Sequence, residues 1–181
     1  RQMPSAEPTD VSSFKDAYRT PVEANFPETA ELVLGARRIP FRAVTIPLRY
    51  GTNPHQLFMA YAPVGQPLSA GNLVMLKGGK AGLSLTNLQD MSQALNILKY
   101  FSAPPPACVA MKHLNPCGFK VRTNHGGSVD LYTAARECDA RSHFGSVVGF
   151  NYTIDEKTAE AIMETFVEGV IAPCYTPRAL E

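Results

Sequence analysis

The chain has 181 residues, 45% of them apolar, with 17 Lys and Arg against 16 Asp and Glu and a net charge of +1. That length supports one domain with a sizeable core, and the near-neutral charge gives no bulk electrostatic case for nucleic acid or an anionic membrane as partner. No apolar run reaches transmembrane length and no secretory leader pattern opens the sequence, so the expectation is a cytoplasmic protein.

In chain order, residues 1–12 are polar, with Pro4 and Pro8, and are expected to be mobile. Ser12 or Ser13 suits the cap of a short helix that Pro21 stops after Tyr18. Residues 27–34 read as another short helix, with Pro27 at its start and Gly35 at its end. Arg37 and Arg38 read as a solvated turn. The loop Leu48-Arg49-Tyr50-Gly51-Thr52-Asn53-Pro54-His55-Gln56 gathers a guanidinium, a phenol, an imidazole and an amide among turn-forming residues. Arg49 offers a planar fork of N–H groups to a phosphate, although composition alone favours a polar surface turn. Residues 73–76 suggest a short strand. The Lys77-Gly78-Gly79-Lys80-Ala81-Gly82 loop behind it lacks the spacing of a phosphate-binding loop. A helix follows, with Thr86 and Gln89 as a capping box, Asp90 in its positive first turn, and Leu88, Met91, Leu95, Leu98 and Phe101 on one face.

The segment Ala107-Cys108-Val109-Ala110-Met111-Lys112-His113-Leu114-Asn115-Pro116-Cys117-Gly118 is the centre of the chain. An unbroken apolar run suits a strand covered on both faces. Pro104 to Pro106 set its start; Pro116 and Gly118 set its stop. Lys112 and His113 therefore sit at the carboxyl end of a buried strand, the edge of an open α/β sheet where ligands bind. Neighbours on a strand point to opposite faces, so the two share one pocket only if the strand ends or twists there. In a dry pocket each cation would lower the other's pKa and leave a neutral imidazole able to accept a proton. The alternative is a strand end whose Lys snorkels to water while His caps a loop.

Beyond Gly118 the pattern predicts a helix near 129–138, a polar loop at 139–145, a strand at 146–150, and a helix opened by Thr153 and Glu156 that carries Ala159, Ile162, Met163, Phe166 and Val167 to Gly169. A last strand begins at Val170. Alternation of strand and helix predicts an α/β layered domain with crossover connections. The four cysteines form no Cys-x-x-Cys pair, and Cys108, Cys138 and Cys174 read as buried thiols. No histidine precedes a glutamate by two residues, and the position three after Cys117 is Lys120, so the zinc-deaminase signature fails.

The loop from Leu48 to Gln56 resembles the opening motif of the transformylase domain in the AICAR formyltransferase/IMP cyclohydrolase family of purine biosynthesis. AICAR is 5-aminoimidazole-4-carboxamide ribonucleotide. Four more segments resemble that domain in the same order. They are Asn87-Leu88-Gln89-Asp90, the Lys112-His113 segment through Gly118, Asp139 with Ser142-His143-Phe144-Gly145, and Glu168-Gly169-Val170-Ile171-Ala172-Pro173. The resemblance covers roughly residues 46–180. It implies residues 46–181 as the first half of a transformylase domain, behind an extension at 1–45 with short helices.

The resemblance further implies a cytidine-deaminase-like α/β core that needs no metal, 10-formyltetrahydrofolate as formyl donor, AICAR as substrate, and a homodimer with a shared active site. By position, His113 is the implied general base and Lys112 the implied stabiliser of developing negative charge. Arg49 and Tyr50 are the implied nucleotide contacts. Gly145 lets backbone approach the ligand, Glu168 holds an acidic ligand-binding position, and His55 is a further candidate. The family domain is about twice as long as the matching part, so the chain alone is expected to lack transfer activity. A purine-nucleotide-binding or regulatory module that keeps the pocket without catalysis is the other reading.

Overall fold

The computed structural model describes residues 26–49, 51–52, 58–66, 69–79, 82–101, 105–122 and 127–181. Tyr50, His55 and the helix expected before Pro21 lie outside them. Among the described residues seven strands and four α-helices form a mixed α/β structure with two sheets.

The smaller sheet holds β1 (Thr29–Leu34), β2 (Arg37–Ala43) and β3 (Tyr61–Pro63), all antiparallel. The helix expected over residues 27–34 is thus a strand. Gly35, at φ 60°, and Ala36 form a two-residue turn that pairs Leu34 with Arg37, as a glycine-first hairpin turn does. Helix-forming Glu28, Ala30, Glu31 and Leu32 are overridden by that pairing, and Thr29, Glu31 and Val33 alternate with Ala30, Leu32 and Leu34 at the period of a strand. The strand expected at 73–76 is absent. Val74 and Leu76 are exposed and the segment is irregular, while Lys77 beyond it donates to the Leu180 and Glu181 carbonyls at 2.9 Å each.

The larger sheet runs β5-β4-β6-β7, from β4 (Ala107–Lys112), β5 (Asn115–Val121), β6 (Ser146–Phe150) and β7 (Val167–Ile171). β4 is antiparallel to both neighbours, and only β6 and β7 are parallel. Crossover geometry therefore holds for one pair, joined through α4 (Glu156–Met163), and the β4–β5 hairpin replaces the stop expected at Pro116 and Gly118. The helix expected to reach Gly169 ends at Met163, which is exposed, and Val167 already belongs to β7.

Helices cover both faces. On one, Met91, Ala94 and Leu98 of α1 (Leu85–Leu98) pack on Val109, Met111 and Val147. On the other, Leu131, Tyr132 and Ala135 of α2 (Ser128–Arg136) and Ala161 and Ile162 of α4 pack on Cys108, Val148 and Phe150. A short α3 (Ala140–His143) precedes β6. The caps lie beside the expected residues. Ser84 caps α1, its Oγ accepting from the Asn87 N–H at 3.1 Å while Asn87 Oδ1 accepts from the Ser84 N–H at 2.8 Å. Asp155, not Thr153, caps α4 through the Thr158 N–H. Cys108 is buried as expected, whereas Cys138 and Cys174 are exposed, and all four thiols are free.

Candidate functional site

The carboxyl end of β4 meets the amino ends of β6, β7 and α1 at one edge of the larger sheet. Along β4, Val109 and Met111 face α1, and Cys108 faces α2 and α4. Alternation puts Lys112 on the Cys108 face. Its Nζ donates to the Phe144 carbonyl at 2.5 Å. That carbonyl belongs to the loop before β6, held at Gly145 by an N–H bond to the Phe166 carbonyl at 2.8 Å. Gly145 stands at φ 71°, and a Cβ there would lie 3.2 Å from Lys112 Nζ. Glycine at this position therefore lets the ammonium lie against backbone.

His113 and Leu114 are the two central residues of the β4–β5 turn, closed by the Lys112–Asn115 pair. Their φ values are 51° and 67°, the left-handed region that tight hairpin turns demand and that glycine and asparagine usually fill. Each side chain held there costs about 1–3 kcal/mol and persists only where its surroundings hold it. Asp90 Oδ1 accepts from the Leu114 N–H at 2.6 Å, and Asn115 Nδ2 donates to the His113 carbonyl at 3.0 Å. His113 is exposed, so the condition of a dry pocket shared with Lys112 is not met.

A second cluster lies at the start of α1 and β7. The Arg49 N–H donates to the Leu83 carbonyl at 2.7 Å and places that residue beside α1. Arg49 Nη2 stands 4.0 Å from Glu168 Oε2, the side chains 28% and 33% exposed. The same Oε2 accepts from Asn87 Nδ2. At this distance and exposure the ion pair contributes no more than about 1 kcal/mol. Asn87 and Asp90 are three residues apart on α1, hence on one helix face. One helix turn therefore touches both Glu168 and the His113–Leu114 turn. The structure brings Lys112, Gly145 and the His113 backbone to one end of the sheet with Arg49 and Glu168 at its α1 margin. Among the described residues no group of three or more His, Cys, Asp or Glu side chains is placed to hold a metal ion.

Sequence reasoning missed two groups. Asp90, read as a helix-end charge, is buried and fastens the turn. His143, a spacer residue in its loop, is 1% exposed, edge-on to Tyr132 with ring centroids 5.6 Å apart. Neither ring nitrogen has a hydrogen-bond partner among the described residues. Burial first, then the charges of Arg136 and Lys112, hold its pKa below the ordinary 6.5. The unfolded chain therefore binds the proton more readily, and folding stability falls as pH drops below about 6.5, until the folded-state pKa is passed. The slope from this one group is at most about 1.4 kcal/mol per pH unit. Asp139 and Asp155, both below their ordinary 3.8 through hydrogen bonds from Ser142 and Thr158, act only in stronger acid. Urea midpoints between pH 7.5 and pH 5 are expected to decline in the wild type and to stay flat in His143→Leu; parallel declines would assign the acid sensitivity elsewhere.

The chain matches the model of the AICARFT/IMPCHase bienzyme family over residues 14–181. It is similar to proteins named bifunctional purine biosynthesis protein PurH. The relative in Sorangium cellulosum (strain So ce56) is 42% identical over 138 residues, 75% of this chain and 25% of the relative. That in Bacillus cereus (strain B4264) is 44% identical over 135 residues, 74% and 25% respectively. That in Acetivibrio thermocellus is 40% identical over 159 residues, 88% and 28%. The chain thus spans about a quarter of the length of these relatives. The family match runs through both site clusters and every described element, and the chain belongs to the AICARFT/IMPCHase bienzyme family.

Proposed function

We propose that the natural polypeptide carrying these residues transfers a formyl group from 10-formyltetrahydrofolate to the 5-amino group of AICAR, in the synthesis of IMP. What supports this reading is that the turn bearing His113, the Lys112 ammonium lying against backbone and, at the α1 margin, the Arg49–Glu168 pair share one end of the larger sheet. The relatives' printed role in purine biosynthesis supports it.

In this reading Arg49, with Tyr50 beside it in sequence, takes the nucleotide phosphate, Glu168 accepts from ribose hydroxyls, and His55 is a further contact. The amine nitrogen bonds to the formyl carbon as its proton passes to the His113 imidazole. Lys112 sets its ammonium where charge grows on the formyl oxygen. His113 then returns the proton to the folate nitrogen as the carbon–nitrogen bond to it breaks. The folate supplies the formyl group when bound. The Phe144 and Phe166 rings, exposed, 5.5 Å apart and inclined at 49°, offer apolar surface against which its heterocycle could pack, beside the Lys112 ammonium at the Phe144 carbonyl. The reading requires no metal.

The same reading makes residues 46–181 the first half of a cytidine-deaminase-like transformylase domain behind an extension at 1–45, in a cytoplasmic homodimer whose active sites are shared. No helix among the described residues is long and apolar enough to cross a membrane. Because the chain spans about a quarter of its relatives' length, it is expected to bind nucleotide but not to turn it over alone.

Calorimetric titration of AICAR tests the nucleotide site. Loss of charge-assisted bonds to phosphate in Arg49→Ala is expected to weaken binding by about tenfold to a hundredfold. Equal affinity in wild type and variant, or AICAR bound by neither this chain nor the natural polypeptide, would sink the assignment.

A further inference from the structure

Asp90 is 4% exposed, although carboxylates are rarely buried without a partner that uses the charge. The start of α1 is already capped by Ser84 and Asn87. The Asp90 carboxylate instead accepts the Leu114 N–H at 2.6 Å, across to the β4–β5 turn. That turn needs holding, because His113 and Leu114 both occupy the left-handed region with side chains. Asn115 Nδ2 holds the His113 carbonyl from within the hairpin. Asp90 contributes the tie from outside the hairpin, and as an ionised acceptor it makes a stronger bond than a neutral one. Three residues earlier on the same helix face, Asn87 holds Glu168. The rigid surface of α1 thereby fixes the His113 turn and the Glu168–Arg49 cluster relative to one another.

We propose that Asp90 is a positioning residue for His113, acting through the Leu114 N–H to set where the imidazole stands against the bound nucleotide. This rests on the formyl-transfer reading for what His113 does, and not for how the turn is held. The test therefore has two independent arms. In the 181-residue chain, hydrogen exchange at the Leu114 amide is followed by NMR in wild type, Asp90→Ala and Asp90→Asn. The alanine variant is expected to lose protection by about tenfold or more, since a hydrogen bond to a charged group is lost. The asparagine variant, whose Oδ1 still accepts, is expected to keep most of it.

In the natural polypeptide, Asp90→Ala is expected to lower kcat about tenfold or more with the KM for AICAR within about threefold, because geometry at the reacting atoms is lost while binding is kept. Asp90→Asn is expected to rescue kcat to within a few fold of wild type. Unchanged Leu114 exchange in Asp90→Ala overturns the proposal whatever the activity. So does lost protection with full kcat, a KM rise that matches the kcat fall, or an asparagine variant as slow as alanine. A wild-type polypeptide without formyl transfer would remove the functional reading and leave the exchange result to decide whether Asp90 fastens the turn. If Asp90→Ala does not fold, the comparison is made in a Leu114→Gly background, where glycine accepts the positive φ without strain. An unaltered kcat on adding Asp90→Ala there overturns the proposal equally.

Discussion

Replacing Gly118 by alanine is expected to destabilise the chain by about 3 kcal/mol or more, at the upper end of what overpacking costs. Gly118 lies in β5 beneath α2, and a Cβ there would stand 2.0 Å from the Ala135 carbonyl oxygen and 2.9 Å from its carbon. Both obstacles are backbone, so no rotamer change relieves them, and either the strand or the helix must move. Gly169 provides the contrast. Its added Cβ would meet Met91 Cε at 2.5 Å, the end of a flexible side chain that swings aside, so Gly169→Ala is the mild control. For a chain of this size the Gly118 change corresponds to a melting temperature lower by roughly 10 °C. A Gly118→Ala protein that melts with the wild type would show that α2 does not press on β5 as described.

The second large effect concerns turnover. His113→Ala in the natural polypeptide is expected to reduce kcat by about 10²–10⁴-fold, the usual contribution of a positioned general base. Alanine removes the imidazole but also sits poorly at φ 51°. His113→Asn separates the two effects, because asparagine tolerates the left-handed region and has no basic nitrogen. The two variants are expected to be equally slow, with the asparagine variant at least as stable as wild type. Wild-type turnover in His113→Asn would remove the general-base role. A slow alanine variant beside a fast asparagine one would show that the turn's shape, not its proton acceptor, is what the reaction needs.

Much of the site's location was legible because burial writes itself into composition. Ala107 to Met111 are all buried, and the first charged residue after them marks the sheet edge. The turn itself was not legible. Asn-Pro-Cys-Gly has the residues of a turn, yet it lies in β5, while the true turn is His113-Leu114, which has neither glycine nor asparagine. Pro116 is tolerated in a strand because β5 is at the edge of the sheet and pairs at a register shift between Ala110 and Met111. Helix propensity at Glu28 to Leu32 yielded to strand pairing set by Gly35. Arg49 and Glu168, far apart in sequence, were each marked by resemblance, but their meeting, and the bond from Asn87 to Glu168, depend on tertiary packing. Nothing in the local sequence of α1 signals that the Asp90 carboxylate turns towards another element.

The β4–β5 hairpin also bears on how the chain folds. Its strands are joined by two residues, whereas β4 reaches β6 only after β5, α2 and α3 have been traversed. Closing the short loop costs far less entropy than closing the long one, so the hairpin is the natural place for the sheet to nucleate, with the β4–β6 pairing following more slowly. A nucleus whose two corner residues are both left-handed starts against a conformational barrier that an Asn-Gly corner would not impose. The imidazole is therefore mounted on the very corner that sets how quickly the sheet begins to form, and substitutions there trade chemical rate against folding rate.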